Sequence, residues 1–211
     1  MWAADDDRWE SWFIERCVSA LEQKGSSAAA AMTEVQYFTN DGLCEFFAEG
    51  AAFYDRPSSS PLERVEFLLD HNYGNLFYSV FRRDLLLSEG QPLFSALGLR
   101  SLNEIPILLQ VAARGDWIVL PDVGMRKQTR MPTYRQARWE RRGGLLPKEC
   151  RADSLSSLGS LHKYHAEALR EIRKSIDCLA LHPREKARAK AKASRNIWRH
   201  FLSVAIGYKF R

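Results

Sequence analysis

The stretch SAAAAMTEVQYF, Ser27 to Phe38, decides how this chain is read. Four consecutive alanines make it a helix-forming patch, and a helix here leaves Trp117 to Leu120, bounded by Gly115 and Pro121, as the one extended segment. One strand cannot make a sheet. The expectation is therefore a mainly α-helical protein with at most one short β segment, either isolated or paired with a stretch the pattern does not disclose.

Outward from that patch, the same periodicity continues. Upstream, Asp5 to Asp7 offer a helix cap and a favourable charge for the helix dipole, and Trp9, Trp12, Phe13, Cys17, Ala20 and Leu21 recur every three or four residues until Gly25. Downstream, a helix is expected from about Gly42 to Phe53. Ser60, Pro61 and Glu63 form a start signal, with a capping Ser, Pro at the first helical position and Glu three residues after the cap. Leu76, Phe77, Val80, Phe81, Leu85 and Leu86 keep helical spacing up to Gly90, and Asn103 caps a helix over Ile105 to Ala113. Leu155, Leu158, Leu161, His165, Leu169, Ile172, Ile176 and Leu179 hold the period over about seven turns. Pro183 then opens a last helix, and so short a joint folds the two helices back as an antiparallel hairpin.

Charge divides the chain. Met1 to Asp122 carries 9 Lys and Arg against 19 Asp and Glu, whereas Val123 to Arg211 carries 22 against 7. Three segments follow: an acidic helical body over 1–122, a basic connecting arm over 123–150, and a basic helical hairpin over 151–211. Within the arm, Gly124 to Gly144 holds Arg126, Lys127, Arg130, Arg135, Arg138, Arg141 and Arg142 against the single acid Glu140, with Tyr134 and Trp139 interleaved. On a wheel of about 100° per residue, Arg184, Arg188, Lys192, Arg195 and Arg199 share one face of the last helix. Ile197, Phe201, Val204, Ala205 and Tyr208 share another. Such a stripe suits the phosphates of RNA or of anionic lipid, or an acidic protein; the opposing reading is that the chain's own acidic half neutralises it. Trp2, Trp9 and Trp12 supply more aromatic area than one helix face requires, and with Trp198 they are candidates for contact with neighbouring proteins.

Catalytic and metal motifs do not emerge. His162 and His165 lie three apart with Glu167 and His182 nearby, but lack the H-E-x-x-H order and a third ligand. Reading Asn40-Asp41-Gly42 as a calcium loop would put Tyr37 and Ala48 at its first and last ligand positions, where neither supplies a carboxylate. Nucleophile-elbow and phosphate-loop patterns are missing, and Cys17, Cys44, Cys150 and Cys178 form no C-x-x-C pair. No cofactor or metal is expected. The acidic start is unlike a secretory signal, and no apolar run reaches the roughly 20 residues of a membrane span. Reduced thiols and an intracellular setting, cytoplasm or an organelle interior such as the mitochondrion, are expected.

The functional expectation is a non-enzymatic accessory or structural subunit of a large intracellular assembly. Its basic carboxy-terminal surface would contact a polyanion or an acidic protein. A stand-alone RNA-binding protein and a peripheral subunit of a membrane complex are the alternatives, with an enzyme the least favoured.

Overall fold

Ala28–Thr39 is a twelve-residue strand, not a helix, and this overturns the mainly α-helical expectation. The computed structural model describes residues 7–39, 42–43, 54–55, 57–71, 74–97, 104–128 and 158–209. In chain order the described elements are β1 (Arg8–Trp9), α1 (Phe13–Lys24), β2 (Ala28–Thr39), β3 (Gly42–Leu43) and α2 (Pro61–Asp70). A 3-10 turn (Gly74–Tyr78), β4 (Val80–Phe81), a second 3-10 turn (Arg83–Leu86), β5 (Leu87–Ser88) and β6 (Gln91–Pro92) follow. Next come α3 (Leu93–Leu97), α4 (Ile105–Arg114), β7 (Asp116–Gln128), α5 (Leu158–Asp177) and α6 (Pro183–Lys209).

A five-stranded mixed sheet runs in the order β1-β7-β2-β3, with β4 also paired to β2. Its spine is the parallel pair β2 and β7, from Ala28 opposite Asp116 to Phe38 opposite Gln128; β1, β3 and β4 join antiparallel. Trp117 to Leu120 is thus the first third of a long strand, and its partner is the alanine run itself. The reason is burial on both faces. Ala28 and Ala31 pack with Phe13, Cys17 and Leu21 of α1, while Ala29 and Ala30 join the main core with α2 and α4. The helix preference of alanine, a few tenths of a kcal/mol per residue over typical neighbours, is outweighed by two flanking ladders and two apolar coverings. Unbranched methyl groups also let the covering helices approach closely.

Beyond Thr33 the strand alternates. Val35 and Tyr37 are buried while Glu34 and Gln36 are half-buried, the two-residue period of a pleated chain. In β7, Trp117 and Val119 enter the main core and Ile118 and Leu120 pack towards α1. Where the two strands meet α1, Gly124 is required by close approach. A Cβ there would lie 2.7 Å from Thr33 Oγ1 and 2.8 Å from Phe13 Cδ2, and the Gly124 N–H donates to Thr33 Oγ1 at 3.0 Å.

Other expectations are corrected in the same way. The first helix starts at Phe13, and Arg8–Trp9 pairs with Arg126 and Met125 of β7. Asp7 caps no helix: its Oδ1 accepts from the Gln128 N–H at 3.2 Å. Gly42–Leu43 is a strand; the rest of the helix expected to Phe53 lies outside the described residues, as does Asn103. Leu76 to Leu86 is two 3-10 turns around β4 instead of one helix, and Leu87–Ser88 and Gln91–Pro92 form a two-stranded hairpin. Glu89 and Gly90 turn it with φ of 50° and 78°, the double positive φ that matches strand twist. The change of charge between Asp122 and Val123 falls inside β7, and Val123 to Gln128 of the expected arm belong to the sheet.

On α2, the Ser60 Oγ accepts from the Glu63 N–H at 3.3 Å with Pro61 first in the helix. At the carboxy-terminal end, α5 and α6 fold back on each other. Arg173 donates to Ser194 Oγ at 2.9 Å, Lys190 pairs with Asp177, and His165 meets His200 at 3.1 Å. This hairpin lies on α2 and α4: Gln110 Nε2 donates to the Ser175 carbonyl and Ser175 Oγ to the Pro106 carbonyl, both at 2.7 Å. The layers are therefore α1, the sheet, α2 with α4, and the hairpin.

Candidate functional site: the basic hairpin

Residues 158 to 209 contain twelve Lys and Arg but four acids, so position around each helix decides which cations are neutralised. The inner line of α6 is Ala189, Ala193 and Ile197, each fully buried. Rotated from it towards α2 are Arg188, Lys192 and Asn196. Arg188 grips Glu66 with both prongs, Nε to Oε1 at 2.6 Å and Nη2 to Oε2 at 2.7 Å, the geometry that makes guanidinium–carboxylate pairs strong. Lys192 pairs with Asp70 and lies 3.8 Å from Glu66. Asn196 donates to Asp70 Oδ1 and the Leu69 carbonyl, each at 3.0 Å. Burial pushes the Asp70 carboxyl up, but the hydrogen bonds from Lys192 and Asn196 and the Lys192 charge outweigh it. Its pKa ends below the ordinary carboxylate value.

Other cations of the hairpin are different. Arg184, Arg195 and Arg199 on α6 are exposed, and so are Lys163, Arg170 and Lys174 on α5. The last three are spaced by seven and four residues, which puts them on one face. Among the described residues none of these six forms an ion pair with an acid. The stripe read from the sequence is therefore split, with Arg188 and Lys192 satisfied by the acidic body while Arg184, Arg195 and Arg199 face outward. Lys163, Arg170 and Lys174 were not singled out by sequence. Their signal was a position opposite the Leu169, Ile172 and Ile176 stripe of α5.

From the basic arm, Arg126 pairs with Glu10 and reaches Gln36 Oε1 at 3.4 Å. Lys127 sits 4.2 Å above the Tyr78 ring and 3.2 Å from Asn75 Oδ1. Arg130, Arg135, Arg138, Arg141 and Arg142 lie outside the described residues, as does Trp2. Tyr134 and Trp139 also lie outside them, while the remaining interface candidates, Trp9, Trp12 and Trp198, have partners within the chain. Trp9 packs edge-on to Phe13 at 4.7 Å, Trp12 lies under the Arg16 guanidinium at 4.7 Å, and Trp198 lies against His162 at 5.4 Å and Phe201 at 5.5 Å.

His165 is fully buried, its ring stacked on His200 at 5.4 Å and 27°. Burial first, and then the charge of His165, depress the His200 pKa to about 4. Among the described residues no three metal-ligating side chains converge. Nor is any helix among them long and apolar enough to cross a membrane. Compared with family models, curated proteins and solved structures, the chain matches none.

Proposed function

We propose that this chain is a non-enzymatic accessory subunit of a larger assembly that holds RNA phosphates on the outer face of its carboxy-terminal hairpin. The observation carrying this reading is the split of the hairpin's charge. One row of cations is spent on Glu66 and Asp70, which anchor the hairpin to the body, and six more stand outward without an acidic partner among the described residues. Like charges gathered on one face raise the local counterion concentration, and a phosphate backbone that displaces those ions gains their release. RNA is favoured over a lipid surface because an interfacial helix needs a free apolar face beside its cations. Among the described side chains of α6, Ala189, Ala193 and Ile197 are consumed inside the protein, and Leu202 is the one large apolar side chain left exposed.

The test is RNA binding across a salt series, for the protein and two variants. Replacing Arg184, Arg195 and Arg199 together by Glu is expected to flatten the dependence of log affinity on log salt by about 2 to 3, at roughly 0.7 to 0.9 for each phosphate no longer neutralised. Arg188→Glu is expected to lower stability while leaving the salt slope of the folded fraction in place. Unchanged affinity in the triple variant, or recruitment to anionic vesicles with no RNA affinity, would overturn the proposal.

A further inference from the structure

A cavity of about 300 Å³ opens on another side of the molecule, between α2, the end of α4 and the start of β7. Its walls include Tyr54, Phe67 and Trp117, with Glu63, Arg64 and Asp116 at the polar side. From the spatial arrangement of these groups we infer that it is a binding site for a small organic ammonium ion carrying an apolar body.

The inference begins with Arg64, the one cation among the described residues of the wall. Its Nε donates to the Ala112 carbonyl at 2.6 Å, Nη2 to the Ala113 carbonyl at 3.2 Å, and Nη1 to the Ser58 carbonyl. It thereby caps the carboxy-terminal end of α4, where a cation complements the helix dipole. Its remaining charge faces Asp116 Oδ1 at 3.6 Å. An anionic ligand would meet a guanidinium whose three nitrogens each already donate to a carbonyl and whose charge already faces a carboxylate.

The acceptors are in surplus. Asp116 Oδ1 takes the Ser58 N–H at 3.1 Å and Glu63 Oε2 takes the Ser58 hydroxyl at 2.8 Å. Among the described residues of the wall two carboxylates stand against one guanidinium, and their sum is net negative. The aromatic walls are held in place. Tyr54 and Phe67 meet edge to face at 5.7 Å and 67°, the Tyr54 hydroxyl donates to the His71 carbonyl at 2.6 Å, and the Trp117 indole N–H is taken by Ser79 Oγ at 3.1 Å. Fixed rings beside uncompensated carboxylate charge attract a cation twice, through the ring quadrupole and through Coulomb attraction. The volume lies at the lower bound for small-molecule pockets.

Incorporating 5-fluorotryptophan and following the Trp117 resonance by fluorine NMR, assigned with Trp117→Phe, tests this directly. Titration with 2-phenylethylamine is expected to shift that resonance saturably, with affinity about tenfold above that of the neutral 2-phenylethanol and with no saturation by 3-phenylpropanoate. Glu63→Gln is expected to reduce the amine's advantage to about twofold, and Tyr54→Leu to weaken the amine about fivefold in a protein whose circular dichroism is unchanged. Equal binding of amine and alcohol, tighter binding of the carboxylate, no saturable shift up to the amine's solubility limit, or full amine affinity in Glu63→Gln would overturn it.

Discussion

Gly124 shows how one residue carries the join between helix and sheet. Gly124→Ala must displace Thr33 or the Phe13 ring, and overpacking of this kind costs about 1–3 kcal/mol, readable as a lowered urea midpoint at unchanged slope. His200 gives a pH signature. Its folded pKa of about 4 lies below the ordinary value of 6.5, so the unfolded chain binds a proton that the folded chain refuses. The stability tied to this group is whole above pH 6.5 and falls as pH drops towards 4, by roughly 3 kcal/mol in total. Urea titrations between pH 4 and 7 check this, and His200→Gln should flatten the curve. Cys17, buried with its thiol pushed up to about 12, first by desolvation, should resist alkylation at pH 8 in the native state and react once the protein is unfolded; peptide mapping measures this. Sequence periodicity placed His165 on the apolar stripe of α5. It could not supply His200, because the two meet only when the hairpin closes.

At the scale of elements, the alanine run is where local preference and tertiary burial disagree. Ala28 to Ala31 satisfies a helix pattern, but the next residues carried a readable signal, since Glu34, Val35, Gln36 and Tyr37 alternate polar and apolar. Two-residue alternation after a short apolar run describes a strand that is central at one end and half-covered at the other. The start of α2, the long α5 and Pro183 at the start of α6 were legible because caps, proline and a sustained 3.6 period are local properties. Strands of two residues, such as Arg8–Trp9 and Val80–Phe81, have no period to read; they exist because β7 and β2 offer edges. The anchor between α6 and α2 was likewise invisible, because Glu66 and Arg188 share no pattern. Glu66→Gln leaves Arg188 without a charged partner, with an expected cost of about 1–3 kcal/mol and faster hydrogen exchange along α6 than along α4. Arg188 is largely exposed at 67%, which keeps the figure below that of a fully buried pair.

For the whole molecule, counting charges located the basic half but not its orientation. Helical-wheel positions of Arg184, Arg188, Lys192, Arg195 and Arg199 agree with one stripe, and it took the position of α2 to separate the two cations of that stripe that reach Glu66 and Asp70 from the three that do not. The cavity beside Arg64 was illegible for a similar reason: Tyr54, Phe67, Asp116 and Trp117 come from segments that approach only once the sheet has formed. Ser60→Ala, which removes the cap of α2 at one wall, should cost about 1 kcal/mol in thermal or urea unfolding while leaving the hairpin's RNA affinity unchanged.

The parallel pairing of β2 with β7 also has a consequence in time. Ala28 finds its partner in Asp116, about ninety positions along, and a chain ordered by pairings that distant refolds in milliseconds to seconds instead of microseconds. During synthesis β2 leaves the ribosome long before β7, so its apolar alanine edge must wait for a neighbour that has not yet been made. That interval is when the nascent chain is most exposed to aggregation and most dependent on a chaperone.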